Sequence, residues 1–235
     1  MLKAVTFDFW NTLYMGPYRW DVLQQRVSRV HKVLTESGYH YTEEEIGSAF
    51  KSCWRKAHFY ERVEGLEMTP GQHLEYINHQ LGLNPDGVLF DRLYQAYTEI
   101  FLDCPPRLNQ GLPKVLQELS PHYQLAVICN TGATPGVVLR EVMKREQMDD
   151  YFQVLVFSDE VTWAKPNTRI FQHTLAQLGV EPQEAVHVGD DPITDVIGAR
   201  KMGMKAVWLA PEVRWAVPEC NWHIRELREL IDILL

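Results

Sequence analysis

Hydrophobic and polar positions follow two different regimes along this 235-residue chain. Ala4–Phe7 is a short apolar run of strand-forming residues that ends on an aspartate. Runs of the same kind recur only after residue 120, at Leu125–Cys129, Val154–Phe157, Ala185–Val188 and Ala206–Leu209. Continuous apolar runs this short suit strands buried on both faces, as in a parallel sheet. Helical patterns separate them. Thr134-Pro135 reads as N-cap and first helical position ahead of Val138, Val142 and Met143. Pro166–Leu178 carries Ile170, Phe171, Leu175 and Leu178 at helical spacing and closes on Gly179, and Asp195–Met202 closes in the same way on Gly203. The alternation predicts a doubly wound α/β domain with a parallel sheet.

Between residues 15 and 105 the period is helical throughout. Trp20, Leu23, Val27, Val30 and Leu34 mark one helix, and Thr42 with Glu45 forms a capping box ahead of Ile46, Phe50, Cys53, Trp54 and Ala57. Thr69-Pro70 opens a third helix closed by Gly82, and Asn84-Pro85 opens a fourth carrying Leu89, Leu93 and Phe101. No strand is expected there. The predicted organisation is a core domain of residues 1–14 and 106–235, with a helical domain of residues 15–105 inserted after the first strand. Its hinges are expected at Tyr14–Arg19 and Cys104–Gly111.

A net charge of −8 argues against a nucleic-acid partner, which would need a basic stripe to neutralise phosphates. It leaves room for a small anionic substrate, because a few basic groups in a cleft reverse the field locally. The four cysteines, Cys53, Cys104, Cys129 and Cys220, have no CxxC spacing, so reduced thiols in the cytoplasm are expected rather than a zinc site or disulfides. No apolar run approaches 18 residues, so no membrane span is expected. A monomer or homodimer is the expected state.

In open α/β sheets the site lies beyond the carboxyl ends of the strands. Reading those ends gives Asp8, then Cys129-Asn130-Thr131, then Ser158-Asp159-Glu160 with Lys165 following, then Gly189-Asp190-Asp191 with Asp195 close behind. One carboxylate can attack, several together can hold a hard cation, and a lysine can neutralise an anion. Asp191 reads better as a helix cap than as a ligand.

These residues carry a resemblance. Phe7-Asp8-Phe9-Trp10-Asn11-Thr12-Leu13, Ile128-Cys129-Asn130-Thr131-Gly132, Lys165-Pro166 and Val188-Gly189-Asp190-Asp191-Pro192-Ile193-Thr194-Asp195 resemble, in order, the four motifs of the haloacid dehalogenase-like superfamily. The helical insert after the first motif is similar to that family's first type of cap. The resemblance implies a Rossmann-like core, a Mg²⁺ cofactor and a phosphorylated small metabolite as substrate. It implies Asp8 as nucleophile and metal ligand, Asp190 as a second ligand and the main-chain carbonyl of Trp10 as a third. Thr12 would hydrogen-bond near Asp8, and Asp195 would act beyond the metal's direct ligands, through water or toward Lys165. Lys165 would offset the charge of Asp8 and the transferring group. Asn130, with Asn11, Cys129 and Thr131 beside it, would meet the substrate. Asn11 stands where glycine is common, and asparagine tolerates positive φ.

Two departures stand out. Family phosphatases place a second aspartate two residues after the nucleophile, to protonate the leaving group and later activate water; here that residue is Trp10, either a pocket wall or core. Cys129 replaces the usual serine or threonine of the second motif, and a thiol is the weaker donor. In the insert, Arg19, Arg55, His58 and Arg62 are candidates for contact with an anion, against the commoner fate of a solvated helix face. His187 is expected to be a sheet-face histidine rather than a base. The expected activity is Mg²⁺-dependent hydrolysis of a small phosphate ester or acyl phosphate through an aspartyl-phosphate intermediate. The rivals are metal-free 2-haloacid dehalogenation, where a halide leaves without a proton, and a ligand- or partner-binding protein without turnover.

Overall fold

All four side chains of Ala4–Phe7 (β1) are fully buried, and alternate positions enter different cores. Val5 and Phe7 join one cluster with residues of flanking helices, while Ala4 joins a second cluster on the opposite face. An apolar run of this kind forms a strand because both of its faces are covered. The computed structural model describes residues 1–16, 19–212 and 217–235, without the side chains of Arg19 and Trp20. The proposed contact of Arg19 with an anion therefore lies outside the described residues.

After β1 come β2 (Tyr14–Met15), then helices α1 (Arg19–Glu36), α2 (Glu43–Phe59), α3 (Pro70–Gln80), α4 (Gly87–Thr98) and the short α5 (Ile100–Asp103). Next are β3 (Arg107–Leu108), α6 (Leu112–Leu119), β4 (Gln124–Cys129), α7 (Gly136–Arg145), β5 (Val154–Phe157), α8 (Ser158–Val161) and α9 (Thr168–Leu178). The chain ends with β6 (Ala185–Gly189), α10 (Gly198–Met202), β7 (Lys205–Leu209), β8 (Trp222–Ile224) and α11 (Glu229–Leu234). Two π-helical turns stand apart from these, Tyr60–Glu64 after α2 and Pro192–Ile197 before α10.

The main sheet runs β5-β4-β1-β6-β7-β8 and all its neighbours are parallel. The five runs seen in the sequence are five of its strands; β8 is the sixth. From β1 the chain fills the sheet first toward β4 and β5, then crosses to β6 and β7 on the other side. The carboxyl end of β1 is thus a switch point, the place where open α/β sheets bind ligands. Helices α6, α7 and α11 cover one face, and α9 and α10 the other.

Helices α1 to α4 pack around a hydrophobic core of their own, built on Leu34, Ile46, Phe50, Leu74, Leu93 and Tyr97. The Thr42–Glu45 capping box is present, and a second joins Thr69 to Gln72. Three element boundaries differ from the sequence expectation. The fourth helix is capped by Asp86, whose side chain accepts from the Leu89 N–H, and it stops at Thr98, leaving Phe101 to α5. The helix after β4 begins at Gly136 with Pro135 as N-cap, because the Thr134 hydroxyl is taken by Arg26 instead. Helix α9 begins at Thr168, where Asn167 rather than Pro166 opens it. Where the chain leaves and re-enters the α/β core, Tyr14–Met15 pairs antiparallel with Arg107–Leu108, tying the two crossings into one ribbon.

Candidate active site

Asp8 leaves the end of β1 as a residue only 6% exposed, and Lys165 Nζ stands 2.5 Å from its Oδ1. The same ammonium is 2.6 Å from Asp195 Oδ1, and Lys165 itself is 1% exposed. Asn130 orients the lysine: its amide group accepts from the Lys165 backbone N–H at 2.8 Å and donates to the Lys165 carbonyl at 2.9 Å. Asp195 is fully committed. Its Oδ1 also meets His187 Nε2 at 3.2 Å, and its Oδ2 accepts the Asp191 N–H at 2.9 Å. Behind it, His187 Nδ1 and the Thr6 hydroxyl are 2.8 Å apart, so a polar thread runs from β1 through β6 to the site. His187 is the sheet histidine expected, with the added task of fixing Asp195.

Gly189 explains itself in this geometry. A Cβ built there would lie 2.3 Å from the Asp195 carboxylate carbon, so only glycine lets that side chain fold back over the end of β6. Asn11 adopts φ 56°, in the left-handed region asparagine tolerates, and donates its amide to Asp190 Oδ2 at 3.2 Å. Asp191 is the N-cap of the turn Pro192–Ile197, accepting from the N–H groups of Ile193 and Thr194, and it pairs with Arg62 of the insert.

Oxygen atoms of Asp8, Asp190 and Asp195 lie within 4.8 Å of one another. Burial raises the Asp8 carboxyl well above the usual carboxylate range against the pull of Lys165, and the charges of Asp195 and Asp190 add to the rise. Burial, with Asp195 second, pushes Asp190 up to about 7. Asp195 is held below the ordinary value despite its burial, because Lys165 and His187 face it. The Lys165 ammonium is held well above its usual range by the two aspartates, which outweigh its desolvation. Three carboxyl groups thus crowd around one lysine. A hard divalent cation with oxygen ligands fits that donor set. Asp8 and Asp190 are its available carboxylates, since both oxygens of Asp195 are engaged within the protein. Among the described residues no N–H donates to the Trp10 carbonyl, which therefore remains available as an acceptor.

Two expectations need correction. The Cys129 side chain is 0% exposed within the core, its thiol raised far above the ordinary value mainly by burial, so it does not face the substrate. The Thr12 hydroxyl is buried without a hydrogen-bond partner among the described residues, so no bond from it orients Asp8. Trp10 is wall and packing at once: its ring sits 4.9 Å from Phe9 and 5.1 Å from Phe101 while lining a cavity of about 820 Å³. Asn11, Asn130 and Thr131 line the same cavity from the core side.

The opposite wall comes from the helical insert. Lys51, Arg55 and His58 follow one stripe of α2 into the cavity, and Glu61 continues that stripe at the π-helical turn. Arg62 points instead to Asp191. Arg26, 2% exposed on α1, donates to the carbonyls of Tyr97 at 2.5 Å and Ala133 at 3.0 Å and to the Thr134 hydroxyl at 2.6 Å, binding the insert to the loop after β4. A second contact joins Glu67 to the Ser158 hydroxyl, which in turn accepts the Thr131 N–H at 2.9 Å. Arg26, Glu61 and Glu67 were absent from the sequence-based candidates. Arg26 had a signal, being a charge set among Leu23, Val27 and Val30 on an otherwise apolar stripe.

Comparison with known proteins agrees with this geometry. A profile described as haloacid dehalogenase-like hydrolase matches residues 22–209. The chain belongs to the haloacid dehalogenase-like hydrolase family. Over 99% of its length it is 26% identical to a glyceraldehyde 3-phosphate phosphatase of Methanopyrus kandleri, covering 97% of that protein. A protein of the same name from Pyrococcus abyssi is 39% identical over 58% of this chain and 56% of its own. Among solved structures, a HAD phosphatase from Thermococcus onnurineus superposes with a TM-score of 0.67 at 26% identity, over 99% of this chain and 98% of that one. A 2-haloacid dehalogenase from Pseudomonas syringae superposes at 0.71 with 20% identity, over 100% of this chain and 98% of that one, a likeness of fold alone.

Proposed function

We propose that this hydrolase is a Mg²⁺-dependent phosphatase acting on a small phosphorylated metabolite through an aspartyl-phosphate intermediate. The observation that carries the reading is the cluster of three carboxyl groups, Asp8 and Asp195 buried and Asp190 half-buried, around a single lysine. Such a cluster repels a carboxylate substrate unless a cation is present, which disfavours metal-free dehalogenation. The phosphatase names of full-length relatives point the same way.

In this reading Asp8 attacks phosphorus while the ester oxygen departs opposite it. Lys165 holds Asp8 aligned and offsets charge on the transferring group, and Asn130 keeps the lysine in place. Mg²⁺, held by Asp8, Asp190 and the Trp10 carbonyl, would supply neutralisation of phosphoryl and carboxylate charge. Asp195 and His187 act through Lys165 rather than on the substrate. The helical insert serves as a cap that excludes water, with Lys51, Arg55 and His58 giving an otherwise acidic protein a basic wall toward the substrate.

Turnover of p-nitrophenyl phosphate and of chloroacetate, each with Mg²⁺ or with chelator, tests the reading. Phosphate release that requires Mg²⁺, with no chloride release, is expected. Chloride release that ignores Mg²⁺ would replace it by dehalogenation, and inertness toward both would favour a binding role.

A further inference from the structure

We propose that Glu61, from the helical cap, is the general acid and base of the reaction, a role Trp10 cannot fill. The proposal rests on the phosphatase reading above. Glu61 lines the same cavity as Trp10, Asn11 and Asn130. Its carboxyl interacts with the Asn130 side chain and lies within electrostatic reach of Lys165, the residue bonded to Asp8. The Asn130 amide in turn bonds the backbone of Lys165, so the cap carboxyl and the lysine that pairs with Asp8 share Asn130 as a neighbour.

The turn that carries Glu61 is pinned to the core. Arg62, its neighbour, pairs with Asp191. Gly65 ends the turn at φ 64°, and its carbonyl accepts from the Ala164 N–H and from the Asn167 amide, both at 3.1 Å. Leu66 forms a bridge with Trp163. Such π-helical turns are frequent at functional sites. Here the turn follows Lys51, Arg55 and His58 with an acid on the same wall of the cavity.

Other cap groups fit the role less well. Glu67 is engaged by the Ser158 hydroxyl and the Gly132 N–H, and it lies outside this cavity. His58 lines the cavity but is exposed. Burial raises the Glu61 carboxyl against the combined pull of Asn130, His58, Arg62 and Lys165. A raised carboxyl retains a proton closer to neutral pH, as a general acid needs.

The chemistry balances. As the Asp8 oxygen bonds to phosphorus, the ester P–O bond breaks and the departing oxygen takes the Glu61 proton, leaving as the alcohol. Water then attacks the phosphorus of the aspartyl phosphate and gives its proton to Glu61. The bond between Asp8 oxygen and phosphorus breaks, phosphate departs, and both side chains are restored.

The test compares kcat/KM of wild type, Glu61→Gln and Glu61→Asp on ethyl phosphate and on p-nitrophenyl phosphate in saturating Mg²⁺. Glu61→Gln keeps size and the capacity to bond Asn130. A loss of about 10²–10⁴-fold on ethyl phosphate is expected, with a far smaller loss on the activated aryl ester. The alkaline limb of the wild-type pH profile on ethyl phosphate should vanish in Glu61→Gln, and Glu61→Asp should retain part of the rate. Equal losses on the two esters, or none on ethyl phosphate, would overturn the role of Glu61 while leaving the phosphatase reading intact. A folded wild type that hydrolyses neither ester would overturn both.

Discussion

Lys165 and Asp8 meet at 2.5 Å in a setting where both are almost wholly removed from water. Burying a charge is costly unless it is paired, and here one ammonium serves two carboxylates, Asp8 and Asp195. The pair fixes the Asp8 carboxylate at the end of β1 and keeps one of its oxygens engaged. Asp190 adds a third carboxyl group beside them, and a divalent cation fits that donor set.

Removing the lysine should therefore hurt stability as well as activity. Lys165→Met leaves Asp8 and Asp195 without their cation and is expected to cost about 3–5 kcal/mol in urea denaturation, together with loss of turnover. Adding Asp8→Asn to that variant should recover part of the stability. A Lys165→Met protein as stable as wild type would show that the pair contributes nothing to the fold.

Asp190→Asn should weaken Mg²⁺ binding and activity together. Isothermal titration is the direct measurement, with thermal stabilisation by Mg²⁺ as a companion reading; both signals should shrink in the variant. Unchanged Mg²⁺ affinity would remove Asp190 from the ligand set.

Gly189→Ala places a Cβ where the Asp195 carboxylate now lies, 2.3 Å from its carbon. Asp195 must swing away and Lys165 loses one anchor. Misplacing a catalytic group by about 1 Å can cost about 10²-fold, so a fall in kcat of that order is expected while circular dichroism remains native. Retention of full activity would mean that the Asp195–Lys165 contact does not matter.

The seam between cap and core should respond to pH through Glu67. Burial pushes its carboxyl up to about 8, despite the Ser158 hydroxyl bonded to it. The folded protein thus binds that proton more tightly than the unfolded chain. The associated stability is complete below about pH 4.3 and is lost as pH rises through about 8. Glu67→Gln, which keeps a neutral group of similar size, should flatten the decline in melting temperature between these limits. An identical decline in the variant would assign it to other groups.

Much of this was legible from residue order. Runs such as Ala4–Phe7 and Ala185–Val188 read as buried strands because a parallel sheet leaves them no polar face, and their ends named Asp8, Asp190 and, further on, Asp195. Other parts had no local signal. Strand β8, Trp222–Ile224, is three residues at the sheet edge, and the β2–β3 ribbon is two residues a side, too short for a period to show. The thiol of Cys129 and the hydroxyl of Thr12 turn on which face a side chain takes, which spacing alone does not decide. Glu61 was hidden for a related reason: a glutamate at the end of an amphipathic helix is ordinarily solvated, and only the packing of the insert against the core makes this one line the cavity.

The central claim is covalent phosphoryl transfer to Asp8, and rapid-quench mass spectrometry of the Mg²⁺-loaded enzyme mixed with p-nitrophenyl phosphate tests it most directly. Acid quenching within the first turnover should yield one phosphoryl group per chain, removable by hydroxylamine and mapped to the peptide containing Asp8, with none on Asp8→Asn. Turnover by Asp8→Asn close to the wild-type rate, or a phosphoryl group mapped to any other residue, would contradict the account.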